Sequence, residues 1–174
     1  MIVTAARELA EAEGWEAVTT RRLATEIEYS QPVLYSHFKG KDAIMAAVAV
    51  EGFAELAAEL REARTSATGP RQAVADVAAA YAGFADGRPA LHDAMFTHAV
   101  DLPFARPEAP AALRDAFGEL SATVLPLAGG DEVEALAETL CSGLRGLVTL
   151  MRSGRIRRAD HERRLALLVG RFSR

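Results

Sequence analysis

The chain has 174 residues, 50% of them hydrophobic, and a formal net charge of −4, so it can bury a substantial core and is not expected to be disordered. Its single cysteine, Cys141, excludes an intramolecular disulfide and fits a reducing compartment. No apolar run reaches the roughly 20 residues that a membrane-spanning helix needs, and acidic residues stand where a secretory leader would be apolar. We therefore expect a cytoplasmic protein that does not enter a membrane.

The first residues have the apolar pattern of a helix. Val3, Ala6 and Leu9 recur at the helical period, and Gly14 follows as a C-terminal cap. Trp15 comes next, and we expect it to cover the core of a small three-helix unit.

The pattern of residues 18–41 predicts two short helices joined by a tight turn, which is a helix-turn-helix. Thr19 is an N-cap residue type placed before a first helix whose apolar face includes Leu23. Ser30 is expected to cap the second helix, where Pro32 in the opening turn loses no hydrogen bond.

The second of these helices has one inward and one outward side. Leu34 and Phe38 lie four residues apart and can pack against the core. The residues left on or near the outer surface are Gln31, Val33, Ser36 and His37. Such a surface suits the major groove of DNA, where an amide can bond adenine and an apolar side chain can contact a thymine methyl.

This segment resembles the DNA-binding region of the tetracycline-repressor (TetR) family of bacterial regulators. The agreement extends over many positions at fixed spacing, namely Gly14, Trp15, Thr19, Thr20, Ala24, Ser30, Leu34, Tyr35, His37, Phe38 and Lys41. Residues 80–85, 90–96 and 142–154 are similar to one C-terminal subclass of the family, which has a tryptophan and a histidine-glycine pair in its penultimate helix. This chain has Arg145 before Gly146 at that place.

The resemblance implies that side chains of the helix-turn-helix contact DNA at phosphates, sugars or base edges. These residues are Thr20, Arg21, Gln31, Pro32, Val33, Tyr35, Ser36, His37 and Lys41. Guanidinium groups and helix N-termini favour anionic oxygen, which supports the roles of Arg21 and Lys41. Tyr35 has the alternative role of a half-buried core aromatic, and His37 that of a packing or capping residue.

Two features depart from the family pattern. Glu28 stands where glycine is usual in the turn, so a left-handed backbone there would cost about 1 kcal/mol more than with glycine. Residues 1–47 carry five basic residues against seven acidic ones, a net charge of −2. Because the basic footprint of a DNA-binding unit is absent, we expect low nonspecific affinity and a shallow salt dependence.

The remainder of the chain is also helical in pattern. A helix over residues 41–64 spans roughly 35 Å. Further helices are predicted at residues 71–86, 89–99, 110–125, 131–153 and 160–172. We therefore predict an all-α fold, in which a three-helix DNA-binding domain (1–47) is joined by the long connector helix to a helical ligand-binding and dimerisation domain (48–174).

The last two predicted helices carry more apolar surface than one small bundle needs. Their apolar residues are Leu136, Leu140, Leu144, Leu147, Val148, Met151, Leu165, Leu168, Val169 and Phe172. Pairing with a second copy would make a four-helix interface, which resembles how the family dimerises and implies a palindromic operator. The alternative is that these residues all belong to the intrachain core.

The resemblance further implies a pocket for a small effector of unknown identity among the helices of the second domain. The candidate lining residues are Tyr81, Phe84, His92, Met95, Phe96, Phe117, Cys141 and Arg145. Their composition suits an apolar ligand with few polar handles. The alternative is ordinary core packing, since methionine and aromatic residues at helical spacing also occur in cores.

An enzyme is the competing class, and the sequence lacks its usual parts. His92 and His98 would lie about 240° apart around a helix, which is unlike a helical metal pair, and neither a nucleophile elbow nor a phosphate loop is present. We expect no catalytic residues, metal or cofactor. The sequence indicates a homodimeric, ligand-responsive repressor, with a helical adaptor of the same fold that has lost DNA binding as the alternative.

Overall fold

The computed structural model describes residues 1–98, 102–104, 106–129 and 132–172, and within these ranges it contains helices and no strand. The α-helices are α1 (Ile2–Glu13), α2 (Thr20–Glu26), α3 (Gln31–His37), α4 (Lys41–Ser66), α5 (Pro70–Gly87), α6 (Pro89–Asp93), α7 (Ala111–Val124), α8 (Val133–Arg152) and α9 (His161–Phe172). Short 3₁₀ turns lie at Trp15–Ala17, Leu125–Leu127 and Arg158–Asp160. The predicted all-α class is confirmed.

One predicted helix is divided. The single helix expected from residue 89 to 99 is instead the short α6 followed by a π-helical turn at Ala94–His98. The predicted helix end at Ala99 and the predicted helix start at Asp131 lie outside the described residues. None of the helices described has an apolar stretch long enough to cross a bilayer.

Packing divides the chain into two compact units. The first comprises Met1–Ala54 and Gly87–Leu113, and the second comprises Glu55–Asp86 and Arg114–Arg174. The segment that contains α6 thus packs with the N-terminal helices. The boundary after residue 47 that the sequence indicates between functional domains stays a prediction.

In the first unit, α1 ends as the sequence predicts. Gly14 adopts a φ of 82°, which is the left-handed region that glycine enters without strain, and its N–H donates to the carbonyl of Ala10. The chain can therefore turn sharply into the 3₁₀ turn that carries Trp15. The indole of Trp15 is buried, with 6% of the residue exposed.

In the second unit, a buried carboxylate joins α7 to the C-terminal part of α4. Glu119 accepts hydrogen bonds from Arg61 Nε at 2.7 Å and from Arg64 Nε and Nη2 at 2.9 and 2.7 Å. Burial by itself raises the pKa of Glu119, but the hydrogen bonds and charges of Arg64 and Arg61 outweigh it and hold that pKa below its ordinary value. The carboxylate is therefore ionised, and each of its oxygens accepts a hydrogen bond from an arginine.

The apolar stripe of α8 and α9 is shared between the interior and the surface. Leu140, Leu144, Val148, Met151 and Val169 are buried within this unit, so that part of the predicted dimer surface belongs to the intrachain core. The largest apolar side chains that these helices leave exposed are Leu150 and Leu167. The other five residues of the predicted stripe are half-buried, namely Leu136, Leu147, Leu165, Leu168 and Phe172. Dimerisation through these two helices stays a prediction.

Candidate nucleic-acid interface

The start of α2 is fixed by a capping hydrogen bond. Thr19 has an extended backbone, and its hydroxyl accepts a hydrogen bond from the N–H of Arg22 at 3.2 Å. Arg21 in the first turn is exposed. The hydroxyls of Thr20 and Tyr35 lie 3.2 Å apart and share a hydrogen bond, which joins the first turn of α2 to the middle of α3.

The turn between α2 and α3 has the left-handed backbone that the sequence suggested. Glu28 has a φ of 57°. Its N–H donates to the carbonyl of Thr25, and the N–H of Tyr29 donates to the carbonyl of Ala24 at 2.8 Å. These two bonds form a Schellman motif, in which glycine is the usual residue at the left-handed position. Glu28 therefore carries a backbone strain that glycine would not.

The N-terminus of α3 differs from the prediction in one detail. Ser30 occupies the N-cap position with extended dihedrals, φ −75° and ψ 150°, but its side chain makes no capping hydrogen bond. Ser30 is therefore the N-cap residue that the sequence predicts, although its hydroxyl satisfies none of the free N–H groups of the first turn. Pro32 lies in the first turn, where its missing N–H has no helical partner to lose.

The outer face of α3 is open to solvent. Leu34 is fully buried and anchors the helix, while Phe38, at the C-cap, is half-buried. The exposed residues of α3 are Gln31, Pro32, Val33, Tyr35, Ser36 and His37. Val33 and Tyr35 are apolar or aromatic residues with 41% and 52% of their surface exposed. The face thus combines the amide of Gln31, the hydroxyls of Tyr35 and Ser36, the imidazole of His37 and the apolar side chain of Val33.

Two basic residues of the helix-turn-helix segment, Arg22 and Lys41, form hydrogen bonds within the protein. Arg22 donates two hydrogen bonds to the carboxylate of Glu13, at 2.6 and 2.7 Å, and these bonds raise the pKa of Arg22 and lower that of Glu13. Lys41 donates from Nζ to the carbonyl oxygen of Trp15 at 2.5 Å. The other arginine of α2, Arg21, is exposed on the first turn of that helix.

The residues predicted to line an effector pocket fall in both packing units. In the first unit His92 and Met95 are buried, and the ring of His92 lies 4.8 Å from that of Phe96. In the second unit the buried residues are Tyr81 and Phe84, the half-buried ones are Phe117 and Cys141, and Arg145 is exposed. Burial raises the pKa values of the Tyr81 hydroxyl and the Cys141 thiol, and Arg145 opposes both shifts.

A contact between α1 and α6 was missed at the level of sequence. The carboxylate of Glu11 accepts hydrogen bonds from the N–H groups of Ala90 and Leu91, and the indole N–H of Trp15 donates to the carbonyl of Ala90 at 2.8 Å. The partners are separated by 75 to 80 residues along the chain. No local sequence pattern predicts a contact between residues so far apart along the chain.

Comparison with known proteins places residues 2–48 within the model of bacterial regulatory proteins of the tetR family. An uncharacterised helix-turn-helix transcriptional regulator, YobS of Bacillus subtilis (strain 168), is 35% identical over 94 residues. The match covers 54% of this chain and 49% of YobS, so it spans about half the length of that relative.

Solved structures share the fold over nearly the whole chain. BioQ in complex with its natural double-stranded DNA operator is similar with a TM-score of 0.72 and 23% identity, over 99% of this chain and 95% of BioQ. The regulator FadR from Bacillus subtilis in complex with stearoyl-CoA is similar with a TM-score of 0.73 and 16% identity, over 97% of this chain and 96% of FadR. At these identities the likeness establishes the fold.

Proposed function

Because the chain belongs to the tetR family of bacterial regulatory proteins, we propose that it is a transcriptional regulator that binds an operator in double-stranded DNA through α3. The observation that carries the proposal is the exposed outer face of α3, where Leu34 alone among the seven residues is buried. A helix that a globular protein anchors by one side and exposes by the other can enter the major groove.

The geometry supports separate roles for the predicted contact residues. Gln31 and Val33 suit base edges, because an amide can bond adenine and a branched apolar side chain can contact a thymine methyl. Arg21 suits a phosphate. Lys41 has three N–H donors, of which one is used by the Trp15 carbonyl, so two are left for the sugar–phosphate backbone. Thr20, Pro32, Tyr35, Ser36 and His37 complete the proposed interface.

We infer that the regulator acts as a homodimer through α8 and α9. Leu150 and Leu167 remain on the surface of these helices with 37% and 59% of their areas exposed. A two-fold copy that packs on this surface would form a four-helix interface and present α3 twice. Two symmetric copies of α3 require an operator that is palindromic.

The regulator is proposed to be a repressor that a small apolar molecule releases from its operator. Among the candidate pocket residues of the second unit, Tyr81 and Phe84 are buried, and their rings favour an apolar ligand. The fold is shared with FadR, which was solved in complex with stearoyl-CoA. A ligand lowers DNA affinity only to the extent that it binds the DNA-incompetent state more tightly.

A helical adaptor that does not bind DNA is the second candidate. The net charge of −2 over residues 1–47 favours it, and so does the carboxylate of Glu28 in the turn. The two candidates differ in whether the protein binds any duplex with sequence preference.

The test is selection of duplexes from a random pool, followed by fluorescence anisotropy on the selected palindrome. We expect Arg21→Ala and Gln31→Ala each to weaken binding by about tenfold, since one charge-assisted or bidentate contact is lost per subunit. Arg71→Ala removes an exposed arginine of α5 and is the matched control, which should bind as the wild type does. Failure to select a sequence, or equal affinity in all four proteins, would refute the assignment of α3 as the DNA-binding surface.

A further inference from the structure

We propose that Glu11 and Trp15 are positioning residues for DNA recognition, which hold the helix-turn-helix in its binding orientation by fastening α1 to α6. The inference rests on the proposed DNA-binding function. It adds a requirement for DNA binding beyond an exposed α3, namely an intact contact with α6. This helix lies outside the helix-turn-helix and outside the residues that match the family model.

The first turn of α6 depends on a carboxylate from another helix. Pro89 has no N–H, and the side chain of Arg88 at the N-cap makes no capping hydrogen bond. The next two amides, of Ala90 and Leu91, donate to Glu11 at 3.1 and 2.9 Å. One carboxylate thus satisfies both of these N-terminal donors and is favoured there by the helix dipole.

Trp15 extends this connection to α4. Its indole N–H donates to the carbonyl of Ala90, while its own carbonyl accepts from the ammonium group of Lys41 at the start of α4. The 3₁₀ turn between α1 and α2 is therefore bonded to α6 on one side and to α4 on the other. A displacement of α6 would break hydrogen bonds of α1 and of this turn together.

The packing of α4 on α6 leaves little freedom for such a displacement. A Cβ atom added at Gly52 would lie 2.7 Å from Leu91 Cδ1 and 2.7 Å from Met95 Sδ, so α4 approaches this segment as closely as a backbone can. Phe53 makes an edge-to-face contact with Phe96 at 5.2 Å between ring centroids. The segment that follows α6 is therefore packed on α4 while α6 itself is hydrogen-bonded to α1.

Loss of the Glu11 bonds should reduce DNA affinity, although the Glu11 carboxylate is bonded to α6 and lies outside the proposed contact residues. A helix-turn-helix that is released from α6 samples more orientations, and ordering it on the operator then costs additional entropy. By linkage, operator binding should also stabilise the hydrogen bonds of the Ala90 and Leu91 amides. That second effect distinguishes a positioning role from general stability.

The experiment compares Glu11→Ala, Glu11→Gln and Glu8→Ala with the wild type on the selected operator. Glu8 is exposed on the same helix, so Glu8→Ala removes the same charge and leaves the Glu11 hydrogen bonds to α6 in place. We expect Glu11→Ala to weaken binding by about fivefold or more relative to Glu8→Ala. Glu11→Gln keeps an oxygen that accepts N–H groups and should recover part of the affinity.

Hydrogen exchange of the Ala90 and Leu91 amides supplies the second readout. In the wild type these amides should exchange more slowly once the operator is bound, and in Glu11→Ala they should exchange fast with and without DNA. Trp15→Phe, which keeps a ring and loses the N–H donor, should show the same loss of coupling if Glu11→Ala does not fold.

Three outcomes separate the inference from the proposed function. Equal affinity of Glu11→Ala and Glu8→Ala, or amide exchange in the wild type that the operator leaves unchanged, overturns the positioning role and leaves the DNA-binding proposal intact. A wild type that selects no operator overturns both proposals. Faster exchange of the Ala90 and Leu91 amides in Glu11→Ala would then show that the Glu11 carboxylate stabilises α6 and has no role in DNA binding.

Discussion

At the scale of single residues, Glu28 combines a strained, left-handed backbone with a negative charge in the turn before α3. We predict that Glu28→Gly raises the free energy of unfolding by about 1 kcal/mol, because a left-handed position is unstrained in glycine. It should also tighten operator binding, since it removes a carboxylate from the turn before α3, the helix proposed to bind DNA. Urea unfolding and anisotropy measure the two effects.

Glu28→Gln separates these contributions. It removes the charge and keeps the Cβ atom, so it should tighten DNA binding without changing stability. If Glu28→Gly were no more stable than Glu28→Gln, the strain inferred from the φ of 57° would not exist.

Glu119 gives a prediction about pH. The bonds from Arg61 and Arg64 lower its pKa from 4.5, so the stability that the ionised carboxylate provides is complete above that pH and is lost as the pH falls through the lower, folded-state pKa. Glu119→Gln should therefore be about 2 kcal/mol less stable than the wild type at pH 7, a value reduced from that of a buried pair because Arg61 is exposed. The difference in urea unfolding should shrink below pH 4.5; a difference constant down to pH 3 would contradict this account.

At the scale of elements, the close approach of α4 to the α6 segment can be tested at Gly52. Gly52→Ala should lower the free energy of unfolding by about 1–3 kcal/mol, because the added methyl group meets Leu91 and Met95. Gly118→Ala on the exposed side of α7 is the matched control, since nothing lies within 4 Å of its added Cβ atom. That control should gain about 0.5–1 kcal/mol from the better helix propensity of alanine. Equal stability of the two variants would show that α6 tolerates displacement from α4.

The helices themselves were predictable because their signals are local. Apolar periodicity, Thr19 before α2, Gly14 after α1 and the proline at the start of α3 each act within a few residues, and the structure agrees with the sequence at all of them. The division of the helix after residue 93 was not predictable, because no proline or glycine interrupts residues 90–98.

The exposed face of α3 was predictable for the same reason, since the burial of Leu34 and the helical period fix which side chains point outward. The partners of Lys41, Arg22 and Glu11 were not predictable, because each is chosen by tertiary contacts between helices. The same limit explains the stripe on α8 and α9, where the sequence shows which residues are apolar but not which side another helix covers.

At the scale of the whole molecule, the proposed dimer depends on apolar surface that α8 and α9 leave open. Leu167→Glu places a charge where 59% of a leucine is exposed and should convert the dimer to a monomer in sedimentation velocity. Operator affinity should fall with it, because two linked copies of α3 bind a palindrome far more tightly than one. Leu125→Glu is the control, since Leu125 is 60% exposed but lies in the 3₁₀ turn after α7. If Leu167→Glu remained dimeric, the dimer would form through a surface other than that of α8 and α9.

The proposed contact of α3 with DNA is tested most directly by hydroxyl-radical footprinting of the protein, free and bound to its selected operator. Tyr35 is 52% exposed on α3, and Phe104 is 46% exposed and serves as the internal reference. We predict that operator binding strongly slows the oxidation of Tyr35 and leaves that of Phe104 unchanged. Oxidation of Tyr35 at the same rate in the saturated complex would show that DNA binds another surface, and the proposed role of α3 would be wrong.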